Sequence, residues 1–300
     1  MPRRIDSHVH LYPPELNRNP AGWAAVRHER QWSALALRRR RNGTPVQTFP
    51  DLAGLLRAMD EAGVARAVLL GWYWEKPASC REHNRFAAEC LRLHSDRLSA
   101  FATLHPAAGS SAVAAEMNWA REVGFSGLGE LSPHAQGYAV DDLAFGAALE
   151  RAGEWGWPVN LHVSDPAARP YPGQVATPFA DFLRLARAFP ATRLILAHWG
   201  GLLAEREPAA AALANLYYDT AASPLTYDAG IWRRLVGRVG AERVVFGSDY
   251  PLNLYPALDP EPRMARLIAE AESSGLTAAE LGAIFAGTLE GRLTPPAAAP

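Results

Sequence analysis

Eight short apolar runs, each followed by a stretch able to form a helix, constrain this chain more than any other feature. The runs cover residues 4–10, 65–70, 98–103, 125–131, 158–163, 193–198, 216–220 and 243–246. Several are apolar on both faces, as strands of a buried parallel sheet are. The segments between them carry helix signals. Asp51 can cap residues 52–62, with Gly63 as the stop. Asp141 or Asp142 can cap a helix running to Glu154, and Pro178 suits the start of 179–188 with Pro190 after its end. Eight such alternations predict an α/β fold, a (β/α)₈ TIM barrel, over a doubly wound open sheet. The 300 residues fit one barrel of about 250 residues plus insertions. One domain is therefore expected over residues 1–293.

Two segments break the rhythm. Residues 11–50 form a long insert after the first strand, with Trp23, Trp32 and the run Arg38-Arg39-Arg40-Arg41. Such a length is far above the usual connection and predicts a lid or substrate loop. The Pro/Ala-rich tail at 294–300 is expected to be disordered. Residues 277–289 predict a terminal helix packed on the barrel.

The charge balance narrows the partners. Net charge is −1, which gives no bulk attraction to nucleic acid or acidic membranes. No apolar run approaches the roughly 18 residues of a membrane span. Met1-Pro2-Arg3-Arg4 leads straight into the first strand, so no secretory signal is expected. Cys80 and Cys90 lie on one predicted helix about 15 Å apart, too far for a disulfide. Both read as reduced thiols, and the expected location is the cytoplasm.

The chemistry sits at the strand ends. His8 and His10 close the first run, Glu130 the fourth, His162 the fifth and His198 the sixth; Asp249 follows the eighth. Side chains alternate faces along a strand, so Asp6, His8 and His10 share one face. Two imidazoles two residues apart can then reach one ion, which binds imidazole nitrogen at roughly 2.0–2.1 Å. In a barrel, catalytic residues gather at these ends. A bound divalent ion would acidify water to a pKa near 7, and a neighbouring carboxylate or imidazole could take its proton.

The ordered motifs resemble the amidohydrolase superfamily, specifically its amidohydrolase-2 branch. That branch includes aminocarboxymuconate-semialdehyde decarboxylase, other nonoxidative decarboxylases, and lactone or amide hydrolases. The motifs are Ile5-Asp6-Ser7-His8-Val9-His10-Leu11, Gly127-Leu128-Gly129-Glu130-Leu131, Asn160-Leu161-His162, Ala197-His198-Trp199-Gly200-Gly201 and Phe246-Gly247-Ser248-Asp249-Tyr250-Pro251. The resemblance implies that His8, His10 and His162 ligate the metal. It implies that Asp249 is a ligand or takes a proton beside the ion, and that His198 is the acid/base group. Asp6 would orient a ligand histidine. Glu130 stands where many superfamily members place a bridging carboxylated lysine, and where TatD-like deoxyribonucleases place a ligand. It could support a second ion or be a hydrogen-bonded carboxylate beside a single one.

The substrate side is less specific. Trp72, Tyr73, Trp74, Trp199, Tyr250 and Tyr255 follow strands and could wall a pocket for a planar substrate. His105 and His134 could add polar contacts. Arg38–Arg41 reads as a solvated helix face, or as the source of one arginine that grips a substrate carboxylate. The leading expectation is hydrolysis of a small carboxylate-bearing or aromatic substrate through a metal-activated water. Nonoxidative decarboxylation is the alternative, and a TatD-like phosphodiesterase or nuclease ranks third. The expected cofactor is one or two divalent ions per chain, zinc first and manganese second. The expected partner is a small molecule, with no nucleic acid and no membrane. The resemblance also makes a homodimer plausible.

Overall fold

A computed structural model of the protein describes residues 3–293; the tail expected at 294–300 lies outside them. Eight parallel strands follow one another in sequence order: β1 Ile5–Val9, β2 Arg66–Leu70, β3 Leu98–Ala102, β4 Gly127–Leu131, β5 Val159–Leu161, β6 Leu194–Leu196, β7 Leu216–Asp219 and β8 Val244–Val245. Each run predicted from the sequence contains one of them. The sheet curls into a nearly closed TIM barrel. At its seam the Ser7 amide donates to Phe246 O (2.8 Å), and the Asp249 amide donates to His8 O (2.9 Å). These two bonds set the first and last metal-binding segments side by side.

The caps agree with the sequence reading. Asp51 Oδ1 accepts from the Gly54 amide (2.7 Å), and Gly63 ends that helix at φ 64°. Asp142 caps Leu143–Glu154, accepting from the Ala144 and Phe145 amides. Thr277 and Glu280 form a capping box. The terminal helical segment runs to Leu293, beyond the predicted 289, because Leu289 and Leu293 bury against the bottom of the barrel with Ile5 and Val68. Cys80 and Cys90 are free and buried on Pro77–Leu93. No helix among the described residues is long and apolar enough to cross a membrane.

The insert after β1 is a packed layer of short helices: Pro14–Arg18, Pro20–Arg27 and Arg30–Ala36. It has its own aromatic core. Trp74, from the loop after β2, lies 5.0 Å from Trp23, 5.7 Å from Trp32 and 6.2 Å from Tyr12, ring centre to ring centre. Tyr12, Trp32 and Trp74 are each almost wholly buried. Trp74→Ala is expected to cost about 3–5 kcal/mol, as other large-to-small core changes do. Urea denaturation monitored by tryptophan fluorescence measures this; a loss below about 1 kcal/mol would mean that the insert does not depend on this core.

Candidate metal centre

Side chains from six strands converge at the C-terminal mouth. His8 lies in β1 and His10 just after it. Glu130 is the penultimate residue of β4, His162 follows β5, and His198 follows β6. Asp219 ends β7, and Asp249 follows β8. The ligand atoms of His8, His10 and Asp249 all lie within 4.8 Å of one another, and so do those of Glu130, His162 and His198. The structure thus brings together every residue that the sequence singled out as a metal ligand or acid/base group.

The carboxylates join the two groups. Glu130 Oε2 lies 3.7 Å from His8 Nε2 and 3.6 Å from His10 Nε2. Its other oxygen lies 2.9 Å from His162 Nδ1 and 3.6 Å from His198 Nε2. Asp249 Oδ1 lies 3.8 Å from His8 Nε2 and 3.6 Å from His10 Nε2, and Oδ2 lies 3.8 Å from His198 Nδ1. Ligands about 2.1 Å from one ion lie roughly 3–4 Å from each other, so these separations suit a divalent cation.

The tautomers fit as well. A carboxylate or carbonyl can only accept, so the ring nitrogen facing it must donate. His8 Nδ1–H donates to Asp219 Oδ2 (2.9 Å), His10 Nδ1–H to Leu70 O (3.3 Å) and His198 Nδ1–H to Ala221 O (3.1 Å). Each ring then offers its Nε2 lone pair to the centre, as metal-binding histidines do. His162 is turned the other way, with Nδ1 inward and Nε2 3.3 Å from Ser164 Oγ. His8 Nε2 faces His10 Nε2 at 3.2 Å, and His198 Nε2 faces His162 Nδ1 at 3.2 Å. A cation satisfies the facing lone pairs of His8 and His10; without one, His162 Nδ1–H donates to Glu130 Oε1 (2.9 Å).

Electrostatics points the same way. Burial alone would lower the His8 imidazolium, but Asp219, Glu130 and Asp249 outweigh it and hold its pKa up to about 10. Burial likewise opposes the His198 imidazolium, and the neighbouring Glu130 and Asp249 carboxylates raise it to about 9. At His162 burial prevails over Glu130 and the pKa falls. Burial would raise Glu130, yet the charge and hydrogen bond of His162, with His10 and His198 close by, hold it well below the usual carboxylate range. The centre attracts positive charge.

Local backbone aims two of these residues. His198 (φ 59°) and Asp249 (φ 64°) sit in the left-handed region, which costs a residue with a side chain roughly 1–3 kcal/mol. Gly247 lets the strand-eight segment pass β1: a Cβ there would lie 2.7 Å from His8 Cβ.

Some expectations take a different form and others need correction. Asp6 meets the main chain of His8, a ligand histidine, and not its ring. Its Oδ1 accepts from the backbone amides of His8 (3.1 Å) and Ser248 (2.9 Å), so it holds main chain. Desolvation raises its pKa to about 6. Asp219, which the sequence reading passed over, orients the His8 ring. It also accepts from Asn160 Nδ2 (2.9 Å) and the amides of His198 (2.9 Å) and Ala221 (3.0 Å). Its place at the end of β7 was the available signal.

Of the six aromatics, Trp72 and Tyr73 line the cavity above the centre, which measures about 630 Å³. Trp74 belongs to the insert core. Trp199 turns away to donate to Ser223 Oγ (2.8 Å), Tyr250 packs into the barrel core, and Tyr255 donates to Glu270 (2.9 Å). These residues lie beyond the strand ends, where the backbone leaves strand geometry, so position after a strand does not settle which ones face the mouth. His105 Nε2–H donates to Gln136 O and His134 pairs with Asp181; neither lines the cavity. The arginine run divides. Arg39 and Arg40 donate to backbone carbonyls, Arg41 is exposed, and Arg38 lines the cavity. Tyr171, Tyr227 and Arg169 also line it, from loops with no motif to mark them.

The family model described as amidohydrolase, of the second type, matches residues 5–288. The chain belongs to the amidohydrolase-2 family. It is a metal-dependent enzyme of the amidohydrolase superfamily, a hydrolase or a decarboxylase. No curated protein matches this amidohydrolase in sequence. Among solved structures it is similar to 5-carboxyvanillate decarboxylase from Novosphingobium aromaticivorans, complexed with manganese and 4-hydroxy-3-methoxy-5-nitrobenzoic acid. The TM-score is 0.71 and the identity 16%, over 96% of this chain and 95% of that chain. It is similar to 2,6-dihydroxybenzoate decarboxylase from Rhizobium, with TM-score 0.67 and 16% identity over 97% and 98%. It is also similar to a candidate 2-pyrone-4,6-dicarboxylic acid hydrolase from Pseudomonas putida, with TM-score 0.63 and 20% identity over 97% of each chain. At these identities the likeness shows a shared fold.

Two predictions follow from the geometry. In the ion-free protein the charged His8 contributes stability that is complete below about pH 6.5 and lost as pH rises through about 10. Metal must displace that proton, so manganese affinity should rise with pH across the same window. Calorimetry at pH 7.5 in buffers of different ionisation enthalpy should show about one proton or more released per ion; no release would contradict the His8 assignment. Asp219→Asn should weaken manganese affinity about 10–100-fold in a chelator competition, with the fold retained by circular dichroism.

Proposed function

We propose that this amidohydrolase is a metal-dependent, nonoxidative decarboxylase of a small aromatic carboxylate. The make-up of one cavity carries the reading. Its floor is the imidazole and carboxylate cluster, its walls include Trp72, Tyr73, Tyr171 and Tyr227, and Arg38 faces into the same space. Arg38 has no ion pair with a carboxylate among the described residues; its guanidinium lies 4.8 Å from the Tyr171 ring centre. A flat anion finds there a cation, aromatic faces and a metal centre. Two of the similar structures, both decarboxylases of aromatic acids, support this reading over the hydrolysis expected from the sequence. The manganese in the 5-carboxyvanillate decarboxylase complex supports testing manganese first, beside zinc.

The reaction needs no oxidant. The bond from ring carbon to carboxylate breaks, its electron pair stays on the ring carbon, that carbon takes a proton, and CO₂ leaves. A bound divalent ion would supply Lewis acidity to hold the substrate's oxygens. The residues that would hold it are His8, His10, His162 and Asp249, with Glu130 beside them. Trp72 and Tyr73 would fix the ring plane, and Arg38 would pair with an anionic group. His198, anchored through Nδ1–H and partly open to the cavity, would deliver the proton from Nε2.

A second reading is hydrolysis of an ester, lactone or amide. The position of Glu130 favours it, because a carboxylate with one oxygen near His8 and His10 and the other near His162 and His198 suits a pair of ions. The likeness to the 2-pyrone-4,6-dicarboxylic acid hydrolase candidate adds to it. A product assay separates the two readings. Manganese-loaded protein given hydroxybenzoic acids should release CO₂ one for one with loss of the acid. Cleavage of lactones or esters with no CO₂ from any acid would replace the first reading by the second. His198→Asn should lower kcat by about 10²–10⁴-fold. Arg38→Ala should act mainly on KM, raising it by about 10–100-fold, as loss of a charged hydrogen bond does.

A further inference from the structure

We infer that residues 166–176, in the loop after β5, are the moving lid of the metal centre, and that the insert at 11–50 is the fixed wall against which this lid closes. The inference rests on the reading of the cavity as a metal-dependent active site. It also transfers the lid role that the length of the insert had suggested.

The insert is held too firmly to be the mobile part. Beyond its buried aromatic core, it is tied on two sides. The Glu75 amide donates to Glu29 Oε2 (2.8 Å), and Glu75 Oε2 accepts from the Gln31 amide (2.8 Å). On the other side the Asn253 amide donates to Val46 O (2.9 Å) and the Thr48 amide to Pro251 O (3.3 Å). Opening it would expose Trp23, Trp32 and Leu16 to water.

The loop after β5 has the opposite character. It is rooted where its ends meet: the Ser164 amide donates to Thr177 Oγ1 (2.9 Å), and the Thr177 hydroxyl donates to Ser164 O (3.2 Å). Asp165 secures the same root, accepting from Tyr227 OH (3.0 Å) and pairing with Arg206 (2.8 Å). Between these roots no residue from 166 to 176 is buried, and none lies in a helix or strand. This is the form of an Ω-loop.

Its tip reaches across the cavity to the insert through few interactions. Gln31 Nε2 donates to Gly173 O (3.1 Å), and Arg38 lies over Tyr171. Gly173, at φ 81°, fits against Leu35 so closely that a Cβ would lie 2.7 Å from Leu35 Cγ. Ala167, Ala168, Arg169 and Tyr171 line the cavity from the lid side. Lifting the tip would break one hydrogen bond and one cation–π contact, expose no buried side chain of the lid, and open the cavity. Segments of that kind open most readily, and closure over an active site excludes water during reaction.

The test uses manganese-loaded protein and the rate at which excess EDTA removes the ion, read from the electron paramagnetic resonance of the released metal. In Leu35→Cys/Gly173→Cys the cysteines fall within disulfide reach. Oxidation should slow manganese loss about ten-fold relative to the same variant reduced, so any strain from replacing Gly173 is common to both arms. Gly173→Ala should part the seam and speed the loss relative to wild type. Equal rates in the oxidised and reduced forms would overturn the inference. Hydrogen exchange read by mass spectrometry tests it without metal: peptides covering 166–176 should exchange well before those covering 23–36, and equal protection would overturn it. Wild type that retains no manganese would instead overturn the metal-centre reading, leaving the exchange result to decide whether the loop moves.

Discussion

The rest of the molecule is organised around the burial of three carboxylates, Glu130, Asp219 and Asp249, among four imidazoles at the mouth of the barrel. A buried carboxylate without compensation is very costly. Here the compensation comes from imidazole N–H groups, from backbone amides at Asp219, and from the positive charge the centre attracts. Each source requires a different strand to end at the right height. The barrel meets this requirement because its parallel strands all end on one face. Gly247 lets β1 and the segment after β8 approach closely, and the left-handed backbone at His198 and Asp249 turns their side chains inward.

The layers above the centre divide their tasks according to how much apolar surface they bury. The insert buries tryptophans and a tyrosine and becomes a wall. The loop after β5 buries nothing between its roots and stays free to respond to what enters. Arg38 belongs to the first and touches the second, so one cation serves both the cavity lining and the seam. This explains why only one of four consecutive arginines faces the site. Arg39 and Arg40 are spent on holding the chain that presents it.

Reaction class depends on a finer feature than the fold. One oxygen of Glu130 lies near His8 and His10 and the other near His162 and His198, an arrangement that can serve one ion or two. Decarboxylation and hydrolysis share the need for a metal-held oxygen and a proton carrier, so the same six side chains suit either. The cavity sets Arg38 and aromatic side chains in the same space as the ligand cluster. Among the similar structures, two are decarboxylases and one is a candidate hydrolase.

The sequence by itself determined the barrel and the identity of the converging residues. Strand and helix alternate with a period that local propensity and capping can carry, and eight repeats admit few other folds. His8, His10, Glu130, His162, His198 and Asp249 were legible because each stands at or just beyond a strand end, a place defined by chain position alone. Only the tertiary structure decided how they are used. Asp219 stood at such an end and went unread, because its role is a hydrogen bond to a residue 211 positions away. Asp6 was expected to orient a ligand histidine, and its contact is with the His8 main chain, because alternation gives the face of a side chain but not which atom it meets. Trp199 and Tyr250 turn from the mouth because the backbone after β6 and β8 leaves strand geometry, which no period predicts. The wall and the lid were likewise beyond the sequence. Length marked the insert as unusual, but which segment stays fixed depends on the apolar surface each one buries, and that is settled only when distant parts of the chain pack together.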